Sequence, residues 1–117
     1  MSEQVTPKKE RELPFGMKIV DGKIVGKLQR GIKVEGKAER QKDFVMRQTV
    51  TQDMFDAEAV ATADLAITFA GAIISLVLEN IGEMKGPIPL SLIGALSPKD
   101  YKILYAAQKE SEELGED

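Results

Sequence analysis

Between Asp64 and Glu79 the chain runs for fourteen residues, Leu65–Leu78 (LAITFAGAIISLVL), without a charge. A bilayer crossing needs ~20 apolar residues, and this run is closely bounded by acids. It therefore predicts a buried helix of a globular fold, from Thr62 or Ala63 to about Ile81. At about 100° per residue, Leu65, Phe69, Ala72, Ile73 and Leu76 share one face, and Ile67, Ala70, Ile74, Val77, Leu78 and Ile81 the opposite one. A helix apolar all round must be covered on every side. The Phe69 face matches Tyr101, Leu104 and Tyr105 of the last helix. The other face needs the Leu90–Leu96 segment, a second copy of the chain or a foreign helix. Covering both from within is hard for 117 residues. The stripe Ile67, Ile74, Leu78 and Ile81 is thus the candidate partner-binding surface, with a fully internal helix as its bland counterpart.

The flanking segments predict an α+β fold. From about 15 to 47 the signals are those of antiparallel β-hairpins. Met17–Val20 and Lys23–Val25 flank Asp21-Gly22, a turn pair that tolerates positive φ, and Ile19 should face Ile24. Lys27–Val34 and Lys37–Arg47 flank Glu35-Gly36, with Gly26 and Gly31 as candidate bulges that leave the register open. A small helical bundle should follow over about 51 to 113. Thr49 and Gln52 have capping-box spacing, with Thr51 a rival cap, before a short helix with Met54, Phe55, Ala57 and Val60. Gly82–Pro89 reads as a loop, and Leu90–Leu96 as a short helix. Ser97-Pro98-Lys99-Asp100 opens the last helix, with Ser97 as cap, Pro98 at the first position, Asp100 as capping-box acid and Leu96 and Tyr101 as staple. Residues 1–13 read as a flexible arm, 14–113 as a single domain and 114–117 as an acidic tail. The polar start lacks the apolar centre of a signal peptide.

Chemistry is constrained by what is missing. The chain has no Cys and no His. That removes disulfides, thiolate nucleophiles, the commonest general base and the two best zinc ligands. Asp53 and Asp56 share a helix face, but acids at a helix start ordinarily complement its dipole. The acidic tail lacks EF-hand spacing. Gly22–Lys27 lacks the four-residue spacing of a phosphate loop. The expectation is a binding protein rather than an enzyme, with no catalytic, cofactor or metal residues.

Charge is split along the chain. Residues 1–47 carry 12 Lys/Arg against 7 Asp/Glu, and residues 48–117 carry 4 against 12. Such asymmetry steers a partner or stacks copies head to tail, and it also arises from two differently solvated faces. Lys8, Lys9, Arg11, Lys27, Arg30, Lys33, Lys37, Arg40 and Arg47 would form a basic strip. Only Phe15 and Phe44 offer aromatic faces there, and the pI is about 5.1, which weakens a nucleic-acid reading.

In order, RGIKVEGK (30–37), DFVMRQTVTQDMFDAEAVA (43–61) and ALSPKDYKILYAA (95–107) resemble the tail assembly chaperones of Mu-like and P2-like tailed phages. Each segment alone is ordinary hairpin or capping chemistry. The resemblance lies in their order, over roughly residues 26–107. It implies a non-virion assembly factor of the bacterial cytoplasm that keeps the long helical tape measure protein soluble while tail tube subunits polymerise around it. It brings no catalytic residues. A homo-oligomer is expected from the charge split and the two-faced helix. A structural tail component and a small nucleic-acid-binding regulator are the alternatives.

Overall fold

Asp21 and Gly22 both take positive φ, 53° and 75°, the type I′ geometry that joins twisted strands in register. They connect β1 (Lys18–Val20) to β2 (Lys23–Ile32), and Ile19 pairs with Ile24 as expected. The computed structural model describes residues 12–62 and 64–114. β2 pairs with β3 (Gln41–Met46), β3 with β4 (Leu78–Ile81) and β4 with β5 (Met84–Lys85), all antiparallel, giving one sheet in sequential order. The helices α1 (Thr51–Glu58) and α2 (Ala66–Val77) are inserted between β3 and β4, and α3 (Leu90–Gly94) and α4 (Pro98–Ser111) close the chain. The α+β class holds.

The helical half is not purely helical. The expected helix to Ile81 ends at Val77, and Leu78 turns to φ −69°, ψ 120° to begin β4 with no loop between. Strand β4 covers the edge that β3 would otherwise expose, pairing Phe44 with Ile81. Gly82, at φ 58°, then takes the first central position of a two-residue hairpin that pairs Ile81 with Met84. The stretch expected to be a loop thus contains β5. Both edge strands, β1 and β5, are short, which limits edge-to-edge pairing.

Helix α4 lies against β2 and β3, and α2 packs on α1, α3 and α4. The core between the layers is aliphatic apart from Phe44: Ile24, Met46, Ile74, Val77, Leu78, Ile81, Leu104 and Ala107 are all buried within it. The expected inner face of α4 was Tyr101, Leu104 and Tyr105. The buried residues are Asp100, Ile103, Leu104, Ala107, Gln108 and Ser111, so the tyrosines flank the core instead of filling it.

Three local expectations change. Thr49 caps nothing; it is buried, and Gln108 Nε2 donates to its hydroxyl at 3.3 Å, tying the β3–α1 connection to α4. The N-cap of α1 is Val50, whose backbone N–H donates to the Asp53 carboxylate at 2.9 Å. Leu13, assigned to the arm, and Leu114, assigned to the tail, both join the core. Arm residues 1–11 and tail residues 115–117 lie outside the described residues. Among the described residues no helix is long and apolar enough to cross a membrane.

The Ser97 cap forms as expected, its Oγ accepting from Asp100 N–H at 3.2 Å. The Asp100 carboxylate does not return to the cap. Strand β2 slips register between Lys27 and Ile32, which frees successive N–H groups from the ladder. Asp100 Oδ1 accepts from Gln29 N–H at 2.7 Å, and Oδ2 from Arg30 N–H at 3.1 Å and Gly31 N–H at 2.8 Å. Gly31 is required there: it sits at φ 80°, and a Cβ would lie 2.3 Å from the Gln41 carbonyl oxygen. This carboxylate fixes how α4 sits on the sheet, and so where its outer face points.

Candidate functional site

The outer face of α4 forms one wall of an apolar groove. Pro98, Tyr101, Lys102 and Tyr105 come from α4, Ala66, Ile67, Thr68 and Gly71 from α2, Leu90, Ile93 and Gly94 from α3, and Leu96 from the turn between α3 and α4. The cavity is about 630 Å³, within the usual range for ligand sites. A Cβ at Gly71 would stand 3.6 Å from Leu90 and 3.8 Å from Tyr101, and one at Gly94 would meet nothing.

The tyrosine wall is held in place. Tyr101 donates its hydroxyl to the Ile67 carbonyl at 2.7 Å, linking α4 to the first turn of α2. Tyr105 stacks on Tyr101 with centroids 6.5 Å apart, and Lys109 Nζ lies 5.3 Å from the Tyr105 ring centre. Burial pushes the Tyr101 phenol above its ordinary range, with a further push from Tyr105. The phenol therefore stays a neutral donor at physiological pH. Lys102 stands on the rim, and among the described residues it forms no ion pair.

Of the four residues expected to bind a partner, the structure brings one to this groove. Ile67 is 76% exposed, whereas Ile74, Leu78 and Ile81 are essentially inaccessible core residues. The reason is axial. The stripes assumed that α2 is divided around its circumference. Instead its start, Leu65–Thr68, is exposed all round, and the turn Gly71–Ile74 is buried all round. Leu78 and Ile81 are not on the helix at all. Phe69, expected deep in the core, is half-buried against it.

The other candidates disperse. Asp53 and Asp56 do not act together. Asp53 is buried and paired with Arg47, while Asp56 is exposed and accepts from Gln52 at 2.8 Å. Phe44 is buried, so the basic hairpin loses one of its two aromatic faces. Many of its cations are engaged: Lys23 with Glu79, Lys27 with Asp43, Lys37 with Glu83, and Arg40 with the Arg30 and Gly31 carbonyls. Lys8, Lys9 and Arg11 lie outside the described residues. A polar hollow at Lys27, Arg40, Lys42 and Gly82 remains on that side, with no buried side chain aimed into it.

No family model, curated protein or solved structure matches this chain.

Proposed function

We propose that this chain is a non-enzymatic helix-binding module that shelters the apolar stripe of an amphipathic client helix in the groove between α2, α3 and α4. The carrying observation is the groove itself: aliphatic floor, aromatic wall and lysine rim, open at the surface. Such chemistry suits a helix laid in a groove by its apolar face, with acids flanking the stripe. Each large side chain taken up contributes ~1.5–3 kcal/mol. Weak contacts repeated along a long client therefore suffice to hold it soluble. The resemblance to tail assembly chaperones supports a tape measure protein as that client, in the bacterial cytoplasm. The client site is then not the Ile74, Leu78 and Ile81 stripe but the groove, with Ile67 common to both.

The chain carries its own reporter. Both of its tyrosines line the groove, and there is no tryptophan. A helical tape measure segment titrated into the protein should shift tyrosine emission saturably. Gly71→Ala should weaken that binding without unfolding, because its methyl occupies the floor at ordinary contact distance and alanine favours a helix by about 1 kcal/mol over glycine. Emission unchanged by any segment of the client, together with no rise in its soluble fraction on co-expression, would defeat the reading.

A further inference from the structure

Helix α1 presents an aromatic side chain to solvent for which the fold has no use. Asp53 and Ala57 are its buried residues, and Phe55, on the opposite side, is 61% exposed. Met54 is exposed next to it, and so are Asp56 and Glu58. The patch is therefore apolar with an aromatic centre and two carboxylates. Aromatic side chains are the commonest anchors of an interface.

The groove has the complementary chemistry. Residues 48–117 hold only 4 Lys/Arg, and 3 of these, Lys99, Lys102 and Lys109, lie on α4. Lys109 is engaged with Glu112 and the Tyr105 ring. Lys99 and Lys102 are exposed and, among the described residues, unpaired. Of these two, Lys102 stands on the rim of the apolar groove. No residue of α1 lines that groove. The two surfaces are thus separate, and each can be engaged by a different molecule.

We propose that the groove takes α1 of a second copy of this chain, Phe55 entering between Ile67, Ile93 and Tyr101 while an acid flanking it, Asp56 or Glu58, faces Lys102. The contact joins unlike surfaces, so it propagates head to tail, into rings if the rotation closes and into filaments otherwise. The inference rests on the groove being a helix-binding site. It adds that client and second copy compete for it, so a client helix disassembles the chain of copies.

The test is sedimentation of the full chain over a range of concentrations, with three variants at exposed positions. Wild type should grow with concentration, and Phe55→Asp should stay monomeric. Asp56→Lys/Glu58→Lys and Lys102→Glu, each alone, should weaken association by at least about tenfold. Mixed in equal amounts, these two should associate again, since each restores the other's charge pairing. A synthetic peptide of residues 50–61 should shift the tyrosine emission of Phe55→Asp, whose groove is vacant. A strictly monomeric wild type at high micromolar concentration overturns the inference, as does Phe55→Asp associating like wild type, or failure of the mixture to recover. Saturable binding of a tape measure segment to Phe55→Asp in any of those cases leaves the groove reading standing, and only self-association falls.

Discussion

Asp100 illustrates how one side chain can be assigned the right position and the wrong task. The spacing Ser97-x-x-Asp100 identifies a helix start, and Ser97 caps it. The carboxylate is instead the acceptor for a bulge 69–71 residues away in sequence. That role was illegible because the register of β2 and β3 could not be read from Gly26 and Gly31. Removing the acceptor leaves the buried Gly31 N–H and the partly buried Gln29 and Arg30 N–H groups unpaired, at up to roughly 1–3 kcal/mol each. Asp100→Asn is no remedy, since its amide turns a donor toward donors. In urea denaturation Asp100→Asn and Asp100→Ala should each cost about 3 kcal/mol or more, and Ser97→Ala about 1 kcal/mol. Equal losses for Asp100→Asn and Ser97→Ala would mean that the bulge is supported by something else. The Arg47–Asp53 pair makes a second residue-scale prediction. The Arg47 guanidinium grips both carboxylate oxygens, at 2.8 and 2.9 Å, and holds Asp53 below the usual carboxylate range against the opposing effect of burial, with the Val50 N–H assisting. A depressed folded pKa gives stability that is fully present above the unfolded value of about 4. It is lost as pH falls through the lower folded value. Asp53→Asn should therefore cost about 1.5–3 kcal/mol at neutral pH, the usual worth of a charged hydrogen bond. It should also flatten the fall in stability below about pH 4. An unchanged acid limb in the variant would remove Asp53 as its source.

At the scale of elements, the first hairpin and the capped α4 were legible because local chemistry specifies them, Asp21-Gly22 and Ser97-Pro98, whereas the short α1 and α3 were placed without the right cap for α1. The end of α2 was not. Val77, Leu78 and Ile81 satisfy a helical stripe and a buried strand equally, and periodicity cannot separate the two in so short a run. The available signal was Gly82-Glu83 between Ile81 and Met84, a glycine-first turn pair that marks a hairpin. The groove was legible only through Ile67. Its other parts come from three elements whose mutual placement depends on Asp100 and on the β4 edge, neither visible in the sequence. The axial division of α2 gives a direct contrast. Ile74→Asp and Leu78→Asp each put a charge into a site without solvent and should abolish folding, since an unpaired buried charge exceeds the stability of a domain this size. Ile67→Asp sits in open solvent and should keep the native circular dichroism spectrum while losing groove binding. A folded Ile74→Asp would return that residue to the surface and refute the axial division.

Across the whole molecule the two walls of the groove are held unequally, and binding elements are generally drawn from the less stable parts of a fold. The sheet and the buried side of α4 hold most of the core, and α4 is further clamped at both ends, by Asp100 on β2 and by the Gln108 and Ser111 side chains around Thr49. The groove's opposite wall is lighter. Helix α3 has five residues, of which only Ile93 is buried and whose N-cap makes no side-chain hydrogen bond. The first turn of α2 is exposed all round, and its N-cap, Leu65, also lacks a side-chain acceptor. Leu90, Leu92 and Leu96 pack against the core only partly buried, and the wall is also tied by Tyr101 to the Ile67 carbonyl and by Ser75 and Ile88, which exchange two hydrogen bonds. One wall is thus clamped and aromatic, and the other is expected to open by local fluctuation without disturbing the sheet. Amide hydrogen exchange should divide the chain accordingly. Residues of β2, β3, β4 and α4 should exchange at the rate set by global unfolding. Residues 66–69 and 90–95 should exchange faster, by the ratio of local to global opening constants, with each 1.4 kcal/mol of difference worth about tenfold. A helical ligand should slow 66–69 and 90–95 selectively, because it joins the light wall to the clamped one. Protection there equal to that of β3 in the free protein would show a groove that is preformed and stiff. Added protection confined to the hairpin at 23–46 would move the binding surface to the other side of the molecule.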